Sequence, residues 1–119
     1  MEFAQYARQA GLQPITGAEL TLRECFPATQ EPEVGHHVTL LAETPAGYAN
    51  LCRLITASRM DYVAEDEDAL WQGKIDPALS WERLAEHTDG LIALTGSLHG
   101  PVAAPLLRGD KEGACKSLA

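Results

Sequence analysis

The segment His36-His37-Val38-Thr39-Leu40-Leu41-Ala42 constrains this chain more than any other. It reads as a strand opened by two imidazoles, and it passes through Thr44 and Pro45 directly into a helical pattern. Residues 38–42 are apolar enough to suit a strand covered on both faces, as in parallel sheets packed by helices. Thr44 fits the helix N-cap, where a side-chain oxygen accepts from a free amide, and Pro45 fits the first turn, where no N–H is needed. Tyr48, Leu51, Cys52 and Ile55 then recur at helical spacing, which predicts one buried stripe with Leu54 and Met60 on its flank. Because His36 and His37 are adjacent in a strand, their side chains project to opposite sides, and only one can face a shared site.

The same order of parts recurs on either side. Phe3, Ala4, Tyr6, Ala7 and Ala10 fall at helical spacing, with Gly11 suited to a left-handed C-terminal cap. Residues 15–22 are β-like and carry Glu19, whereas 23–35, with Pro27 and Pro32, reads as a connecting loop. Residues 61–75 look irregular, and their acidic run from Asp61 to Asp68 suits a solvated loop. Ser80 is placed to cap a short helix over 81–87, and Asp89-Gly90 closes it before a strand over 91–95. Pro101 opens a helix through Leu107, and Asp110 caps a last one carrying Ala114, Cys115 and Leu118. Helices and strands alternate throughout, which indicates an α/β layer or barrel with parallel strands and covering helices. Three strands would then each deliver a polar group near one rim: Glu19, the histidine pair, and Ser97 with His99.

A chain of 119 residues with 45% hydrophobic content fits one domain, or part of one. Nine Lys and Arg against 17 Asp and Glu give a net charge of −8, which argues against strong DNA binding by these residues alone, since such binding releases counterions through excess cationic side chains. Cys25, Cys52 and Cys115 are odd in number and lack a Cys-x-x-Cys pair, so reduced thiols are expected rather than disulfides or a thiolate zinc knuckle. Cys52 falls within the apolar stripe and is expected in the core. No apolar run approaches the roughly 18 residues that would cross a bilayer, and no basic-then-apolar leader follows Met1, so a cytoplasmic protein without membrane contact is expected.

Few groups offer chemistry. Glu19 ends an apolar strand, where a carboxylate is costly to bury unless paired or bound to a cation; the plain alternative is a side chain pointing into water. Either histidine alone is more readily a satisfied structural imidazole than a ligand. Ser97 and His99 lie in Thr95-Gly96-Ser97-Leu98-His99-Gly100-Pro101, a strand-to-helix crossing whose amides suit a phosphate. It is not a Gly-x-Ser-x-Gly elbow, so a nucleophilic serine is not expected, and no catalytic residue is assigned.

Three strings, in order, resemble the polymerase and histidinol phosphatase (PHP) domain at the N-terminus of bacterial DNA polymerase III alpha subunits. The nearest likeness is to the error-prone alpha-type polymerases of damage-induced synthesis. The strings are Ala10-Gly11-Leu12-Gln13-Pro14-Ile15-Thr16-Gly17-Ala18-Glu19-Leu20, then His37-Val38-Thr39-Leu40-Leu41-Ala42 with Gly47-Tyr48-Ala49-Asn50-Leu51, then Glu86-His87 with Gly90-Leu91-Ile92-Ala93-Leu94-Thr95-Gly96. The resemblance implies an irregular (β/α)7 barrel whose strand ends hold a cluster of divalent metals, zinc or manganese. It implies that Glu19 and His37 are metal ligands and that His36 faces away. The cysteine ligand that the family often carries after the Thr95-Gly96 equivalent is here Ser97, a far weaker donor, so the cluster is expected to be impaired or lost, with compensation by His99, two residues on, the lesser alternative. The family's opening His-x-His and Asp-His elements and its closing Asp-x-His do not occur in these residues, so the chain resembles the central part of the domain. The expectation is a PHP portion of an error-prone polymerase subunit with an incomplete phosphoesterase-like site, inert by itself, which seeks the rest of a polymerase or a second copy. The alternatives are a stand-alone phosphoesterase completed by oligomerisation and a non-catalytic interaction module.

Overall fold

The computed structural model describes residues 2–23, 35–60 and 77–118. In chain order the elements are α1 (Glu2–Gln9), β1 (Thr16–Arg23), β2 (His36–Ala42), α2 (Pro45–Met60), β3 (Leu79–Ser80), α3 (Trp81–Ala85), β4 (Leu91–Leu94), α4 (Ala103–Leu107) and α5 (Lys111–Lys116). The loop expected within residues 24–34 and the acidic stretch of 61–76 lie outside the described residues.

Four strands form one sheet in the order β3-β1-β2-β4. The expectation of a parallel array is corrected here. Strand β2 runs antiparallel to both β1 and β4, and only the two-residue pairing of β1 with β3 is parallel. A parallel pairing of successive strands needs a crossover of a dozen or more residues, usually helical, and the Pro27- and Pro32-bearing link between β1 and β2 has no helical pattern to supply one. The expected two-sided cover of β2 is corrected as well. Val38 and Leu40 are 3% and 1% exposed, whereas the alternate residues Thr39 and Leu41 are only half-buried, so the pleat distinguishes its two sides.

Helix α2 covers one face. Leu20 and Leu22 of β1, Val38 and Leu40 of β2, Leu51 and Leu54 of α2, and Leu79 of β3 make one aliphatic core. The buried side of α2 is Gly47, Asn50, Leu51, Leu54 and Ser58, not the stripe of Tyr48, Cys52 and Ile55. Tyr48 is 54% exposed and Cys52 is exposed, which corrects its expected place in the core. The helix is turned because its two buried polar residues are satisfied. Asn50 Nδ2 donates to the Asp89 carbonyl while its Oδ1 accepts from Arg53, and Ser58 Oγ donates to the Ile55 carbonyl. The start of α2 also meets the turn before β4 so closely that a Cβ on Gly47 would overlap the Gly90 carbonyl, and Gly90 itself has φ +70°.

The helix ends follow their capping residues. Thr44 Oγ1 accepts from the Gly47 amide at 3.0 Å, Ser80 Oγ from Arg83 at 3.2 Å and Asp110 Oδ1 from Gly113 at 2.8 Å. Gly11, at φ +74°, follows the end of α1 as its position predicts. Strand β3 is the element with no sequence expectation: two residues are too few for a periodic signal, and Ser80 is also the cap of α3. Among the described residues no helix is long and apolar enough to cross a membrane.

Candidate metal centre

The pairing register builds the site. Glu19 lies opposite Thr39 and Thr21 opposite His37, so Glu19 and His37 are diagonal neighbours across β1 and β2. Both fall on the parity opposite Leu20, Leu22, Val38 and Leu40, and therefore on the face away from the aliphatic core. His37 Nδ1 lies 3.8 Å from Glu19 Oε1, with the two side chains 40% and 60% exposed. Thr21 Oγ1 stands 3.5 Å from the same nitrogen. Thr21 was not singled out from sequence, although its spacing of two from Glu19 puts both on one side of a strand.

The antiparallel register sets this meeting: His37 is the second residue of β2, and Glu19, expected at a strand end, is the fourth of eight residues in β1, in mid-strand. The chain leaving β4 returns to the His37 end of β2. The His37 amide donates to the His99 carbonyl at 2.9 Å, and the two imidazoles meet edge to face with centroids 6.1 Å apart. His37 is thus the shared neighbour of Glu19 and of His99.

Ser97 behaves differently. Its hydroxyl accepts from the His99 amide at 3.1 Å and its carbonyl from the Gly100 amide at 2.9 Å. The amides of His99 and Gly100, which the sequence offered to a phosphate, are therefore spent inside the turn. Helix α4 begins only at Ala103, has five residues and lacks a side-chain cap, so the crossing is not a phosphate cradle. His36 lies on the core parity opposite Leu22, and its Nδ1 is buried with no hydrogen-bond partner among the described residues.

The donor set suits a cation in part. Bonds of about 2.0–2.2 Å at a tetrahedral zinc separate a nitrogen and an oxygen donor by roughly 3.4 Å, close to the observed Glu19–His37 spacing. The imidazole is a donor type that suits zinc and the carboxylate one that suits manganese. Among the described residues no three of His, Cys, Asp and Glu are gathered into a metal-holding group.

A family model described as the PHP domain matches residues 1–119. The chain is 43% identical over 115 residues to an error-prone DNA polymerase of Symbiobacterium thermophilum, covering 92% of this chain and 10% of that protein. It is 32% identical over 120 residues to a DNA polymerase III subunit alpha of Caulobacter vibrioides, covering 100% of this chain and 10% of that one. A DNA polymerase III subunit alpha of Vibrio cholerae is 31% identical over 115 residues, or 94% of this chain and 8% of the other. The chain therefore spans 10% or less of the length of these curated relatives.

Proposed function

This chain belongs to the PHP domain family, and from that premise we propose that residues 1–119 form the central part of such a domain within an error-prone, DNA polymerase III alpha-type subunit. The chain is homologous to a region of these polymerases. The finer architecture we propose has the α2-covered face of the sheet outermost and the Glu19 face turned to the interior of the complete domain. Replication and repair synthesis are the processes such a subunit serves, and nucleotide transfer would belong to other parts of it.

The reading rests on one observation above all, the 3.8 Å approach of His37 Nδ1 to Glu19 Oε1 on the open face. Glu19 and His37 are the residues that would hold a divalent cation, zinc or manganese. Such an ion, when bound, supplies Lewis acidity and charge neutralisation at a phosphoryl group. The chain's own contribution is positional. The hydrogen bond from the His37 amide to the His99 carbonyl fixes the backbone from which the His37 ring projects. The described residues bring two such ligands together, and we propose that the complete site takes further donors from elsewhere in the assembly and that these residues alone are inert toward phosphate esters.

The test is metal content together with turnover. Dialysis against zinc or manganese leaves about one ion bound per chain, and changing both Glu19 and His37 to Ala removes it, while p-nitrophenyl phosphate and its diester stay intact. Turnover by the wild-type chain that disappears in the double variant would overturn the inert reading in favour of a stand-alone phosphoesterase completed by oligomerisation.

A second reading, a non-catalytic interaction module, has its own observation. Around α1 a cavity of about 610 Å³ is lined by Phe3, Tyr6, Ala7, Ala10, Leu12 and Ile15, four of which are more than 65% exposed. A polymerase body or a second copy of the chain would bury that surface. Retention on an immobilised polymerase body in the presence of chelator favours this reading, and release by chelator counts against it.

A further inference from the structure

We draw no further inference here: the strongest candidate, the apolar groove between α1 and residues 12–15 with Phe3, Tyr6, Leu12 and Ile15 exposed along it, is an unpartnered surface among the described residues, and nothing in the structure shows what covers it.

Discussion

The two faces of the sheet are built from the same strands and differ in almost everything else. On one, Leu20, Leu22, Val38 and Leu40 lie against Leu51 and Leu54 of α2, all of them buried. On the other, Glu19, Thr21, His37 and Thr39 alternate with them one residue out of step, joined by Leu41 and by Ile92 and Leu94, the last two 45% exposed. The first face supplies the burial that holds the domain together, at roughly 1.5–3 kcal/mol for each large aliphatic side chain removed from water. The second holds the polar groups and contributes little to the core. Parity along a strand thus separates stability from chemistry, and a shift of one residue in register would exchange them.

That separation can be broken from either side. Leu54, with no exposed surface, is the strongest probe of the covered face: Leu54→Ala should destabilise the chain by about 2–5 kcal/mol in a denaturant titration. A loss well under that range would mean that α2 is not seated on the sheet as described. Gly47→Ala comes next, because its new methyl has no space against the Gly90 carbonyl, and overpacking of this kind costs about 1–3 kcal/mol. Thermal melting reads it, and an unchanged midpoint would deny the close approach of α2 to the turn before β4. Ser80→Ala removes the hydroxyl that caps α3 and should cost about 1 kcal/mol by the same melting assay. Smallest on stability is Glu19→Ala on the open face, within about 0.5 kcal/mol of wild type, yet it should remove most metal binding. A large loss of stability there would show that the open face also carries structural weight.

Much of this was legible in the residues. The caps at Thr44, Ser80 and Asp110 could be read because capping is a local matter of one side chain and an amide three positions on. The strand pattern of 38–42 was legible, as was the projection of His36 and His37 to opposite sides, because strand parity is local too. What the residues did not disclose is what non-local contacts decide. The direction of β2 depends on how the chain returns from β1. The rotation of α2 depends on Asn50 reaching the Asp89 carbonyl 39 positions away, a satisfied polar burial that hydrophobic spacing alone reads as an exposed face. The two residues of β3 become a strand only because Leu22 and Arg23 lie beside them. In the candidate site, a meeting of Glu19 and His37 near one rim was already an expectation of the sequence, whereas the antiparallel register that makes them diagonal neighbours was not.

The most direct measurement is a zinc-soaked crystal examined by anomalous scattering at the zinc edge. The account predicts an anomalous peak on the open face of the sheet, about 2.0–2.2 Å from both His37 Nδ1 and a Glu19 carboxylate oxygen. A peak lying elsewhere, or electron density in which Glu19 and His37 project from opposite faces of the β1–β2 pair, would contradict it.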